Sequence, residues 1–219
     1  NRRIGGSLSS ICDVHDIIGF TELTRLCRAG YKVVRNVNTR LADEAGVPAS
    51  IRVTTVKPSG SISQLVGVSP GMHNPIFKYA IRRMRISDTS PIVPLLAEAG
   101  YRYEKDLYSD NTLVFEFPID QGQTREASTV TMWEQFSLLA MLQENWSDNM
   151  VSVTIYFGEH ERDQIEHALA QFAPRIKSCS MFPHSDKSVY KQSPYEGITK
   201  DEYERRVAEL KPINWSKYQ

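Results

Sequence analysis

Residues 52–57 (Arg-Val-Thr-Thr-Val-Lys) read as a β-strand, and Pro58 stops it. Proline removes a ladder donor and fixes φ, so a central strand does not run through it. The next five residues, Ser59, Gly60, Ser61, Ile62 and Ser63, are mostly small and flexible, and Gln64-Leu65-Val66 then resumes an apolar pattern. A strand that ends this abruptly and runs into a short helix leaves consecutive backbone N–H groups without carbonyl partners. Gly60 has no Cβ, so a ligand can reach the main chain there. Ser59, Ser61 and Ser63 add hydroxyl donors. These are the parts of a phosphate cradle. The plainer alternative is a strand-to-helix turn with no ligand. This is no Walker motif, because the lysine precedes the loop and no Gly-Lys-Ser/Thr ends it. A second turn-rich stretch, GVSPGMHNP at residues 67–75, follows at once. Two such loops in succession are costly to order, and chains commonly keep loops of this kind for sites.

The surrounding pattern alternates strands and helices. Residues 3–12, with Gly5-Gly6, suit a buried strand that another backbone approaches closely. From Asp16 to about Ala45, apolar residues recur at three- and four-residue steps: Phe20, Leu23, Leu26, Cys27, Val34, Val37 and Leu41. Gly30 is a candidate break in this helix, and Gly46 with Pro48 ends it. Residues 78–87 read as an arginine-rich strand, 91–99 as a short helix opened by Pro91, and 112–118 as a strand. Residues 129–145 predict a largely buried helix, and 150–157 a near-continuous apolar strand of the parallel, two-sided kind. An amphipathic helix over about 159–172 follows, burying Ile165, Ala168, Leu169 and Phe172 and leaving His160 and His167 on its polar side. Residues 176–182 are a further candidate strand. This order argues for an α/β architecture with a largely parallel sheet. The composition turns polar after residue 183. The expected division is therefore 1–183 as the α/β domain and 184–219 as an irregular, partly helical extension, with Thr199 and Glu202 forming a capping signal.

Charge and cysteine usage exclude several function classes. Lysine plus arginine and aspartate plus glutamate number 26 each, so no global basic field recruits a nucleic acid. Arg82, Arg83 and Arg85 lie in one strand and cannot all share a face, which reads as a solvated or ion-paired edge. No apolar run approaches the roughly 18 residues of a membrane span, and no secretory leader opens the chain. Neither a membrane nor a nucleic acid is expected as a partner. The three cysteines, Cys12, Cys27 and Cys179, form no CxxC and no zinc-spaced cluster. They read as small buried hydrophobes in a reducing, cytoplasmic setting. The chain begins Asn-Arg-Arg with no initiator methionine and looks like a segment of a longer protein.

Four stretches, in order, carry a resemblance: "NRRIGGSLSSI", "TTVKPSGSISQLVGVSPGMHNP" with "YAIRRMRIS", "ENWSDNMVSVTIYF", and "YKQSPYEGITKDEYE". Together they resemble the adenosylcobalamin-dependent ribonucleoside-triphosphate reductases, the monomeric class II ribonucleotide reductases. The resemblance implies the second half of a ten-stranded α/β barrel with a C-terminal irregular or helical extension. It implies a reaction that replaces the ribose 2′-hydroxyl by hydrogen through a cysteine thiyl radical, with adenosylcobalamin as cofactor and a ribonucleoside triphosphate as substrate. It also implies two partners: the remaining N-terminal part of the reductase and a thioredoxin-type reductant. By the same match, Ser59, Gly60, Ser61, Ile62 and Ser63 hold the substrate phosphates. The family's Asn-x-Cys-x-Glu finger-loop motif and its C-terminal cysteine pair are absent from these 219 residues. No catalytic or metal-ligating residue is therefore expected in this stretch. The alternative reading is a non-catalytic nucleotide- or phosphate-binding module that uses the same loop.

Overall fold

The computed structural model describes residues 2–122, 124–184 and 191–218. In chain order the elements are β1 (Arg3–Ser7), α1 (Ile11–Glu44), β2 (Arg52–Thr55), α2 (Ile62–Val66), β3 (Tyr79–Ser87), α3 (Ile92–Glu98) and β4 (Tyr103–Lys105). Then come β5 (Thr112–Asp120), α4 (Met132–Asn145), β6 (Thr154–Phe157), α5 (Ile165–Phe172), β7 (Ser180–Pro183), β8 (Tyr195–Gly197) and α6 (Lys200–Ala208). They form two compact units. One takes residues up to 76 together with 122–184; the other takes 77–121 with the C-terminal stretch. The chain thus leaves the first unit close to the compositional change at 183/184, and its tail joins a unit begun a hundred residues earlier. Among the described residues no helix is long and apolar enough to cross a membrane.

The first unit has the parallel, helix-crossed arrangement that the strand–helix order suggests. β1 pairs in parallel with β2, with Gly6 opposite Thr54. Val56 bridges in parallel to Val151, and β6 pairs in parallel with β7, with Ile155 opposite Met181. Helix α4 supplies the centre of the core: Met132, Phe136, Leu139 and Leu142 are fully buried. Phe136 stacks on Phe172 of α5 at 5.3 Å between ring centroids.

Several boundaries differ from the sequence reading. Residues 3–12 are not one buried strand. β1 is short and mostly exposed, and among the described residues β2 is its one neighbour in the sheet. The close approach at Gly5 is nonetheless present: a Cβ there would lie 2.9 Å from the Thr55 side chain. Helix α1 begins at Ile11, where the Ser10 hydroxyl donates to Asp13 Oδ2 (2.7 Å). Its break falls at Gly19 (φ 78°), and Gly30 stays helical. Of the predicted stripe only Leu23 and Cys27 are buried; Phe20, Leu26, Val37 and Leu41 are exposed.

The strand expected over 150–157 is interrupted. After Val151 its edge is satisfied by side chains. His73 Nε2 accepts from Thr154 N (3.1 Å), and Gln135 both accepts from Tyr156 N and donates to its carbonyl.

The WSDN stretch fastens the parallel strands to one another. Trp146 Nε1 donates to Thr55 O (2.9 Å). The Asp148 carboxylate accepts from Val53 N (2.9 Å) and Tyr31 OH (2.7 Å). Asn149 Nδ2 donates to Ile4 O (3.0 Å) and Thr54 O (2.8 Å), which links β1 to β2.

The second unit is antiparallel throughout, in the order β4-β5-β3-β8. The largely parallel sheet expected from sequence does not extend here. The link between β4 and β5 is only six residues, and a connection that short joins strands of opposite direction. β3 and β5 pair over nine positions, from Tyr79 opposite Asp120 to Ser87 opposite Thr112.

β3 is not the edge strand that its arginines suggest, since it lies between β5 and β8, but Arg83 and Arg85 are ion-paired. Arg83 donates to Glu116 (2.8 Å) and Glu196 (2.5 Å), and Arg85 to Asp106 (3.0 Å). The Arg82 guanidinium lies 4.5 Å from the Tyr195 ring. The tail holds on through polar contacts: no residue of α6 is buried. Gln192 is buried, donates to Glu104 Oε1 and Lys105 O, and accepts from Leu107 N.

Replacing Asn149 by alanine removes both side-chain bonds that link β1 to β2 and takes the donor from Ile4 O, while Thr54 O keeps the bond from the backbone N–H of residue 149 (3.0 Å). The expected loss is about 1–3 kcal/mol. It should appear in urea unfolding as a lower midpoint with an unchanged slope.

Candidate functional site

The turn after β2 is built by clamps from distant parts of the first unit. Ser59 adopts a left-handed conformation (φ 49°), unusual for a residue with a side chain. Its hydroxyl accepts from Ser9 Oγ (2.7 Å) and from Gly71 N (2.9 Å). Its carbonyl accepts from Ser63 N (2.9 Å), which closes the first turn of α2. Upstream, Lys57 N donates to Ser7 Oγ (2.8 Å), so β1 holds the strand end.

The two loops singled out from sequence lie against each other. Gly71 (φ 57°) sits so close to the strand end that a Cβ would be 2.4 Å from Lys57 O. Asp13, in the first turn of α1, holds the second loop: its Oδ2 accepts from Ser69 N (2.8 Å), and its Oδ1 accepts from the Thr124 hydroxyl. His73 holds the far end. Its Nε2 accepts from Thr154 N, so the ring proton is on Nδ1, facing Pro70 O at 3.1 Å. Burial lowers the pKa of this ring.

Within these clamps the predicted residues divide into two sets. The N–H groups of Gly60, Ser61 and Ile62 donate to no described residue, and all three residues are exposed. A Cβ placed on Gly60 would meet nothing within 4 Å. Lys57, also exposed, brings a positive charge to the loop entry. Ser59 and Ser63 serve the loop itself. Ser63 is buried, and its hydroxyl has no partner among the described residues; the buried Ser69 hydroxyl is likewise unpartnered. The arrangement therefore offers three adjacent free donors on a clamped backbone, which suits an anionic oxygen.

Ser9, Asp13, Gly71 and His73 were not legible as parts of this site. The one available signal was the turn-rich GVSPGMHNP stretch, which marks a loop without naming its partners.

The cysteines are buried or partly buried thiols. Cys12 and Cys27 are buried and all three are free thiols. Cys12 donates to Asn74 Oδ1 (3.5 Å), and burial with Asp16 and Asp13 nearby pushes its thiol far above the usual range. Burial pushes the Cys27 thiol up to about 11. No group of three or more His, Cys, Asp or Glu among the described residues could hold a metal ion.

Two outcomes follow for the clamps. Gly71→Ala combines left-handed strain with a backbone clash and should destabilise the chain by about 2–4 kcal/mol, whereas Gly60→Ala should be within about 0.5 kcal/mol of neutral. Parallel urea titrations compare them. For His73, the unfolded ring takes up a proton near its ordinary pKa of about 6.5, while the folded ring resists until a lower pH. Its stabilising contribution is present above pH 6.5 and is lost as pH falls toward the lowered folded-state pKa. Stability measured from pH 7.5 to 5 should fall, and His73→Ala should flatten that slope.

No family model matches the chain. It is 42% identical over 221 residues to a probable adenosylcobalamin-dependent ribonucleoside-triphosphate reductase of Dictyostelium discoideum, covering 99% of this chain and 29% of that protein. It is 38% identical over 214 residues to the adenosylcobalamin-dependent reductase of Euglena gracilis, covering 96% and 29%. It is 42% identical over 185 residues to that of Lactobacillus leichmannii, covering 82% and 25%. A crystal structure of a B-12 dependent (class II) ribonucleotide reductase superposes with a TM-score of 0.88 at 35% identity, over 100% of this chain and 34% of that one. The chain thus spans under a third of the length of the curated relatives it matches, and along that span it is homologous to the adenosylcobalamin-dependent ribonucleoside-triphosphate reductases.

Proposed function

We propose that this chain works as part of an adenosylcobalamin-dependent ribonucleotide reductase, which converts ribonucleoside triphosphates to their 2′-deoxy forms. In this reading it contributes the substrate phosphate loop, residues 59–63, and half of a ten-stranded barrel wall. The observation that carries the proposal is the run of free N–H groups at Gly60, Ser61 and Ile62, in a loop clamped on both sides. Backbone donors fixed in advance bind phosphate oxygens without a further ordering cost. Lys57 adds a charge that attracts the polyphosphate.

The chain's part in the reaction is positioning. Holding the phosphates fixes the ribose at a set distance from the loop, which is the condition for a radical group elsewhere to reach its 3′-hydrogen. That radical group is a thiyl on a cysteine outside this chain. Cys12 and Cys27 are core residues, and none of the three cysteines has the family's Asn-x-Cys-x-Glu context. Adenosylcobalamin supplies the radical chemistry in this family. A thioredoxin-type reductant and a cytoplasmic location complete the reading and go with three unpaired thiols.

The test is Gly60→Val in the full-length reductase. The open space around Gly60 lets the variant fold. Its side chain stands where phosphate would approach the backbone. Losing charge-assisted bonds of about 1.5–3 kcal/mol weakens nucleotide binding roughly 10- to 100-fold. Unchanged affinity in a folded variant would refute the assignment and leave an ordinary strand-to-helix turn. Weakened binding in an enzyme with no turnover under any assembly would favour a non-catalytic phosphate module.

A further inference from the structure

At the end of β1 and β2 opposite the phosphate loop, positive charges gather without matching carboxylates. Arg3 and Arg52 open the two strands and are direct partners in the parallel ladder. Partners in a ladder project their side chains to the same face, so two guanidinium groups stand side by side. Lys177, in the segment before β7, joins them. Its ammonium donates to the Asp148 carbonyl, and Asp148 is bonded to β2 through Val53 N and Thr54 Oγ1. Arg35 of α1 reaches the same place, with Nη1 3.9 Å from Asp148 Oδ2 and 3.4 Å from Ile51 O. Partial desolvation and the charge of Arg52 lower the Lys177 pKa, and Asp148 opposes that shift.

Asp148 does not neutralise this group. Its Oδ1 accepts from Tyr31 OH (2.7 Å) and its Oδ2 from Val53 N (2.9 Å), so one carboxylate that already has two donors faces four cations. Among the described residues, the side chains of Arg3 and Arg52 have no hydrogen-bond or ion-pair partner. That departs from the rest of the chain, where Arg83, Arg85, Arg125, Arg175 and Arg206 each meet a carboxylate at 3.0 Å or less. Like charges at paired ladder positions repel and cost stability. A bound anion turns that repulsion into attraction.

We propose that Arg3, Arg35, Arg52 and Lys177 form a second anion site, for a small, multiply charged phosphate: inorganic triphosphate or the polyphosphate tail of a nucleotide. Planar guanidinium forks match phosphate oxygens two at a time, and the lysine adds a point charge. Every donor in the group recognises phosphate and none reads a base, so a nucleoside should add nothing to the affinity. The phosphate loop follows the other end of β2, so the two sites lie at opposite ends of one strand and each can be filled alone. The inference goes beyond the reductase reading and stands whether or not residues 59–63 bind phosphate.

The experiment follows acetylation of individual lysines by mass spectrometry in the full-length reductase that contains this chain. Lys177 reports the new site, Lys57 the phosphate loop, and Lys211 neither; all three are exposed. Inorganic triphosphate at about ten times its dissociation constant should slow acetylation of Lys177 about tenfold, because roughly a tenth of the sites are then empty. A nucleoside triphosphate should protect Lys177 equally, and sodium chloride at matched ionic strength should not. Arg3→Gln with Arg52→Gln should abolish the protection of Lys177 and leave that of Lys57, and Gly60→Val should do the reverse. Lys177 protection that is absent, or that chloride reproduces, overturns the proposal. So does protection that survives Arg3→Gln with Arg52→Gln, or that only the nucleoside triphosphate gives, since a base is then being read. If the double variant does not fold, Arg3→Gln alone, at an exposed position, should raise the triphosphate concentration for half-protection at least about tenfold. An unchanged concentration overturns the proposal. The two readings fail separately: protection of Lys177 without Lys57 removes the phosphate-loop assignment, and protection of Lys57 without Lys177 removes the second site.

Discussion

The carboxylate of Asp13 joins stretches that lie more than a hundred residues apart. It takes the Ser10 hydroxyl at the start of α1, the Ser69 N–H of the second loop and the Thr124 hydroxyl. Three donors on one carboxylate satisfy it without a cation, so the charge serves as an anchor. The loop at residues 59–63 is positioned from that anchor. With Ser69 fixed, Gly71 is brought beneath the strand end; with Gly71 fixed, its N–H holds Ser59, and Ser59 sets where Gly60, Ser61 and Ile62 point. A second network beside it, Asp16–Arg125–Glu134, ties the same helix to α4 through bonds of 2.8 and 2.5 Å.

Local covalent constraints were legible in the sequence and tertiary ones were not. Pro58 stops a strand because of its own ring, so the loop could be placed from sequence alone. The helix over α4 was legible because its apolar positions fill a face wherever it packs. Glycines show where this reasoning ends. Gly30 looked like the break in α1, yet it is helical, and a Cβ there would lie 3.4 Å from the Trp146 ring. Its nearest neighbour is a residue 116 positions away. The break is at Gly19, which carries no local sign to distinguish it. The stripe on α1 differs in a related way: Val37 and Leu41 have core-like spacing but are exposed. Strand β8 was missed because its pairing partner, β3, is more than a hundred residues earlier.

The WSDN stretch illustrates how a motif's residues can be structural. Each of Trp146, Asp148 and Asn149 spends its polar atoms on the backbone of β1 or β2, or on Tyr31. The strands of this unit are short, and their direct ladders are correspondingly few. Side chains complete what the ladders leave open, as His73 and Gln135 do along β6. Polar residues in such a unit are therefore held in place by the fold itself, before any ligand is considered.

That division of labour explains which polar groups remain for function. A buried N–H or carbonyl without a partner costs free energy, so the unit satisfies nearly all of its interior ones. The N–H groups of Gly60, Ser61 and Ile62 escape this demand because they face water, which solvates them until a better acceptor arrives. A phosphate oxygen is such an acceptor, and it gains from a scaffold already fixed by Asp13, Ser59 and Gly71. The serine hydroxyls on either side are spent or covered: Ser59 takes two bonds within the loop, and Ser63 lies beneath it. A ligand at this loop would thus be read mainly by main chain. Main-chain donors recognise charge and position and are indifferent to the base, so discrimination among nucleotides has to come from residues elsewhere.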